Sequence, residues 1–299
     1  MDNFLFFPRA VAAAISDTGF AWLFGLLLAG LLLDLEGPSA PRRSLQRTAI
    51  YCAIAMLLAG LAQLYLATAT MIGSSAFAAV RSQLTDVALG THAGKKLLWS
   101  LSLTLLVLLT LCARRNWQKR STFSLLLAEM VADAMVRSAS GHAAANGDFT
   151  LSEAVQFFHL ISIAVWAGCV LAAGFLVLPG MLQEDRASHA VSFTRRLSRV
   201  ITFALAVVLL SGIYNAYVGL GGSLRPLAGS QWGILLDVKV LLVLIAVGMG
   251  AANRRMIAGD RATQRAPALA TSLRIEAMVM LAILAVSALL ANSPPASSS

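Results

Sequence analysis

The sequence predicts an all-α protein, a polytopic membrane helix bundle of about eight transmembrane helices. Three observations predict it. Of the 299 residues, 58% are hydrophobic and 12% charged, whereas a soluble domain is nearer ~45–50% and ~25%. Apolar runs of about the ~20 residues that cross a bilayer recur along the whole chain. Those runs are continuous, while barrel strands would alternate polar and apolar residues.

In chain order the predicted spans are about 15–35, 47–69, 94–113, 121–140, 153–178, 198–219, 233–252 and 273–291. They form one integral membrane domain, 1–292, followed by a polar tail, 293–299. The opening MDNFLFFPRAVAAAIS has no basic stretch ahead of a clean apolar core, so no cleavable leader is expected and span one serves as the insertion signal. The net charge is +9. Its carriers sit in short loops, where they set topology rather than attract nucleic acid. The loops after spans one, three, five and seven hold most of them, among them Arg42, Arg43, Arg114, Arg115, Arg195, Arg196, Arg254 and Arg255. That side is expected to be cytoplasmic and both termini to face outward, into the periplasm if the membrane is a bacterial inner membrane. Cys52, Cys112 and Cys169 lie in or beside apolar runs without CxxC spacing, which suggests neither a disulfide framework nor a zinc site.

The two halves read alike. Span one has AWLFGLLLAGLLL from Ala21 and span five VWAGCVLAAGFLV from Val165; span two has LLAGLAQLY from Leu57 and span six LLSGIYNAY from Leu209. Span three opens with THAG and closes with ARR, span seven with SQWG and NRR; span four has LLLAEMV and span eight LRIEAMV. The order is the same in both halves, which predicts a parallel four-plus-four internal repeat of the kind some transporters use. Chance alignment of Leu/Ala/Gly-rich helices is the alternative.

Three histidines break the repeat. His92 aligns with Gln231 and His159 with Ile15, and His142 has only the terminal NSPP opposite it. By the charge rule all three lie at the outer end, with His159 about 9 Å inside its helix. On a helix, His159, Ser162, Trp166 and Cys169 share one face. Imidazole suits copper, zinc, iron or nickel, so His142, His159 and His92 are candidate metal ligands; simple capping near the interface is the alternative. Such binding needs neutral imidazoles and weakens below pH ~6.5. His189 sits in a basic loop and reads as solvated.

Span four carries Glu129, Asp133 and Arg137 at helical spacing. Acids at membrane depth usually face the bundle interior and mark ion pairs, ion paths or proton relays; for Asp133–Arg137 a structural pair and a functional one stay open. Glu276 is the repeat mate of Glu129. Met130, Met135 and Cys169 offer soft ligands that would select Cu(I), against the plainer role of gap-filling. With Glu129 and Asp133 they outline a candidate transport path.

These residues resemble the copper resistance protein D (CopD) family of bacterial inner-membrane proteins. The similarity rests on GHA at 141–143, HLxxxxxWxG at His159, Leu160, Trp166 and Gly168, SGIYNA at 211–216, WGxLLxxK from Trp232 to Lys239, ANRR at 252–255, Glu276, and Pro294-Pro295. THxG at 91–94 is similar to the proteobacterial members, and the first two spans match only in character. Cys169 stands where many members have a second glycine. The resemblance implies an eight-span bundle that handles copper, as Cu(I) or Cu(II), commonly beside a periplasmic CopC-type copper-binding protein, and moves it across the inner membrane toward the cytoplasm. Copper would be held first by His142 and His159, with His92 third. No GxxxxGKS phosphate loop appears, so ATP is not expected to drive transport from within this chain; no catalytic residue is singled out and the chain is not expected to be an enzyme. Two other readings remain: a membrane redox protein with b-type haem or quinone, and a copper sensor or assembly factor without translocation.

Overall fold

The computed structural model describes residues 3–34, 42–114, 119–139, 150–183, 186–221 and 230–294. After a 3-10 turn at Asn3–Leu5 these residues form ten helices: α1 Phe6–Asp34, α2 Arg42–Ile72, α3 Phe77–Gly90, α4 His92–Ala113, α5 Arg120–Ser138, α6 Leu151–Ala172, α7 Leu178–Gln183, α8 Ala187–Gly219, α9 Gln231–Ala258 and α10 Ala266–Asn292. No strand occurs among the described residues. A π turn, Ala173–Val177, joins α6 to α7 without a break. Pro179 explains it: proline has no N–H for the carbonyl four residues back and its ring clashes there, and a π turn relieves both.

The described residues of all eight predicted spans lie in helices, apart from the end of the fourth and the short π turn in the fifth. Among the described residues seven rods are long and apolar enough to cross a membrane: α1, α2, α4, α6–α7, α8, α9 and α10. The predicted fourth span is α5, shorter and more charged, with Arg120, Glu129, Asp133 and Arg137 in 19 residues. Its Leu126, Glu129, Met130, Asp133 and Ala134 are buried, so both of its acids face other helices rather than lipid. The outside of the bundle is apolar, with Leu58, Leu61, Phe203, Leu210, Ile213, Ile234, Leu241 and Leu244 all exposed, as lipid contact requires.

The helix α3 was not anticipated. At 14 residues it is too short to span and packs on α2 and α4. The corner into α4 explains the THAG motif. Thr91 Oγ1 accepts from Gly94 N (2.9 Å) and donates to Val87 O (2.7 Å), and a Cβ on Gly94 would come within 2.1 Å of Val87 O. The SQWG motif caps α9 in the same way, Ser230 Oγ accepting from Gly233 N at 3.0 Å.

At the centre α1 crosses α6 with their backbones in contact. A Cβ on Gly25 would lie 1.9 Å from Gly168 C, and one on Gly168 would lie 1.8 Å from Ala21 O. Around this crossing α1 packs on α2 and α6 on α8, while α4 packs on α5 and α9 on α10. Polar links repeat with the pairing. Gln63 Nε2 donates to Ala12 O (3.2 Å) as Asn215 Nδ2 donates to Gln156 Oε1 (2.8 Å). Thr110 Oγ1 donates to Glu129 Oε1 (3.2 Å) as Asn253 Nδ2 donates to Glu276 Oε2 (2.7 Å). The acid of each fourth helix is thus held by the third helix of its own half, as a duplicated scaffold requires. The halves differ at α9, the least enclosed span, only 6% buried, which packs less fully on α8 than α4 does on α2.

Because the α1–α6 contact has no room for a methyl group, Gly25→Ala and Gly168→Ala should each lower stability by about 1–3 kcal/mol, read as melting in detergent. Gly248→Ala, where nothing lies within 4 Å, should change it little. Equal melting of all three variants would refute the close crossing.

Candidate metal-binding site

The candidate site is built on the facing surfaces of α6 and α8. Thr150 caps α6, its Oγ1 accepting from Glu153 N at 3.3 Å, and from there Ser152, Gln156 and His159 succeed one another along one face at helical spacing. Each meets a residue of the SGIYNA segment. Ser152 Oγ lies 3.2 Å from Tyr214 Oη, Gln156 Oε1 accepts from Asn215, and His159 Nδ1 lies 2.9 Å from Ser211 Oγ. Gly212 lies beside the imidazole, and a Cβ there would make an ordinary contact, 3.5 Å from His159 Cε1.

The hydrogen bonds assign the tautomer. Ser211 Oγ donates to Val207 O at 2.5 Å, so its oxygen is left to accept from His159 Nδ1–H. The Nε2 lone pair is then the one available to a metal, and an orienting partner on the other ring nitrogen is the usual companion of a ligating histidine.

Of the other predicted ligands, His92 is exposed in the first turn of α4, a helix that packs on α2, α3 and α5, whereas α6 packs chiefly on α1, α8, α10 and α5. His142 lies outside the described residues. Among the described residues no three His, Cys, Asp or Glu side chains converge as a metal site.

Comparisons with known proteins agree with this architecture. The family model described as Copper resistance protein D matches residues 191–290. The one described as Copper resistance protein D-like, N-terminal domain matches residues 8–151, so the match extends through the first two spans and beyond. The chain belongs to the copper resistance protein D family. It is 31% identical over 172 residues to the inner membrane protein YebZ of Escherichia coli, covering 56% of each chain. It is 27% identical over 160 residues to the copper transport protein CutJ of Bacillus subtilis, covering 54% of this chain and 28% of the relative. Copper resistance protein D of Pseudomonas syringae is 27% identical over 113 residues, covering 37% of this chain and 36% of the relative. The chain thus spans about half the length of one of these relatives and about a third of the others. No solved structure matches.

In this family member the predicted path residues part company. Met130 and Cys169 are buried, while Met135 is 60% exposed on the outside of the bundle. Cys169 lies at the α1–α6 crossing, its backbone N 2.5 Å from where a Gly25 Cβ would stand. Glu129 is buried, and among the described residues Thr110 is its one hydrogen-bond partner and its Oε2 has none. Asp133 is the acceptor in an interhelical clamp that sequence reading missed. It takes Ser100 Oγ–H (2.5 Å) and Arg137 Nε–H (2.8 Å). Arg137 reaches on to Asp17 Oδ1 (3.1 Å) and Ser16 Oγ (2.9 Å) on α1 and lies over the Phe20 ring, 4.9 Å from its centroid. The clamp ties α1, α4 and α5 together. Asp17, an acid inside an otherwise apolar run, was the available signal.

Asp133 is 3% and Arg137 14% exposed at the side chain. Arg137→Met should therefore cost about 3–5 kcal/mol, because it strands a buried carboxylate. Adding Asp133→Asn should recover part of that loss in detergent unfolding. No recovery would show that the two side chains act independently.

Proposed function

We propose that this chain binds copper at its outer face and moves it across the bacterial inner membrane toward the cytoplasm. Membership of a copper resistance and transport family supplies the substrate class. The observation that carries the site is the His159–Ser211 pair, an imidazole with an orienting partner on Nδ1 and its Nε2 lone pair left for a metal. His142 and His92 complete the ligand set in this reading. Met130, Cys169 and Glu129 extend inward from it, with Asp133 as the fixed edge of the route and Met135 at its lipid-facing margin. The charge pattern supports both termini outside, and the uninterrupted run of spans supports one membrane domain over 1–292. A periplasmic CopC-type protein delivering copper to the outer end fits this orientation, and no chemical reaction is assigned.

The test is copper uptake by the full chain in vesicles. Uptake should exceed that of empty vesicles and be abolished by His159→Ala. Ser211→Ala should weaken copper affinity by about 10–100-fold, as loss of an orienting partner does, and His189→Ala should leave it unchanged. Uptake by His159→Ala equal to that of the unmodified protein would overturn the site. Copper binding without uptake would favour the sensor reading.

A further inference from the structure

We propose that Glu276 is a proton-exchange site, served by a cavity at the basic end of the second half. The cavity, about 250 Å³, lies between α6, α8, α9 and α10. Glu276 and Asn253 line it together with Thr194, Ser198, Thr202 and Arg254. Glu276 is 3% and Asn253 4% exposed.

The polar groups are arranged for a ligand rather than for packing. Asn253 spends its amide N–H on Glu276 Oε2 at 2.7 Å. Its Oδ1 is buried, belongs to a cavity-lining residue, and has no partner among the described residues, whereas buried polar atoms are normally satisfied. No ion pair holds Glu276 among the described residues. Arg254, at the exposed mouth, donates instead to Thr202 Oγ1 and, at 3.4 Å, to Ser198 O. Arg195 on α8 is taken by Ile257 O at 2.8 and 3.0 Å, and Arg274 on α10 is exposed. Apart from Glu276, Arg254 is the one charged group that lines the cavity.

A carboxylate with a single neutral donor is costly to keep charged in a dry interior, and a proton removes that cost. A cavity of this volume has room for several waters, and Asn253 Oδ1, Ser198 and Thr202 offer them partners. Water there solvates the ionised form. The carboxyl can therefore lose its proton to cavity water and regain it, with no other bond made or broken. A metal ion fits less well. The lining has no imidazole or sulfur, the ligands copper prefers, and Arg254 repels a cation at the mouth. The clamp at Asp133 is the contrast: there a buried acid is saturated by Arg137 and Ser100. Glu129, the repeat mate, has the same kind of single neutral donor, but neither described cavity includes it. This inference holds whatever cargo the chain carries.

The experiment is infrared difference spectroscopy of the full-length protein in lipid nanodiscs, titrated from mildly acidic to mildly alkaline buffer in H2O and D2O. A protonated-carboxyl band should titrate and shift on deuteration, and it should be lost in Glu276→Gln, which keeps an acceptor for Asn253. Gly250→Leu fills the cavity beside the acid, since a Cβ there stands 3.7 Å from Glu276 Oε1. It should slow deuteration of the band several-fold while leaving the band present. A titrating band that survives Glu276→Gln, the absence of any titrating band in the unmodified protein, or unchanged exchange in Gly250→Leu would overturn the proposal.

Discussion

The backbone contact between α1 and α6 is the constraint on which the rest depends. Lipid offers no hydrophobic reward for bringing apolar helices together, so close association needs small residues that let backbones touch. Gly25 and Gly168 provide that, each standing where the other helix leaves no space for a methyl. Once α1 and α6 are joined, the first two helices of each half form equivalent pairs and the acids of α5 and α10 fall opposite the third helix of their own half. The repeated hydrogen bonds follow from this packing.

Polar groups in the bundle then sort by how well they are satisfied. Asp133 and Arg137 are hydrogen-bonded across three helices. His159 is oriented at Nδ1 by Ser211. Glu276 has one neutral donor and a cavity. A fully paired group has little left to offer a ligand, while a half-satisfied one in a low-dielectric interior is costly unless it is used. That gradient separates structural from functional candidates better than residue type does.

The spans and the repeat were legible because length, apolarity and order are local properties of the chain. What the sequence left open was long-range or conditional. Ser211 meets His159 from 52 residues away, a pairing no single-helix face could reveal; the face drawn through Ser162, Trp166 and Cys169 proves to be core. Asp17 was overlooked because span one was started near residue 15, whereas α1 begins at Phe6 and carries the acid more than three turns inside. The helix α3 escaped notice because a short amphipathic segment has no spanning signature. THxG at 91–94, which contains the candidate ligand His92, is accounted for by a helix corner that uses Thr91 and Gly94 and leaves His92 on the surface.

The central claim is that copper meets this chain through the imidazole of His159. X-ray absorption on the copper-loaded full-length protein reads the ligands directly. The expected spectrum has imidazole scattering that diminishes in His159→Ala and persists in His189→Ala. A spectrum of sulfur ligands alone, or imidazole scattering untouched by His159→Ala, would contradict it.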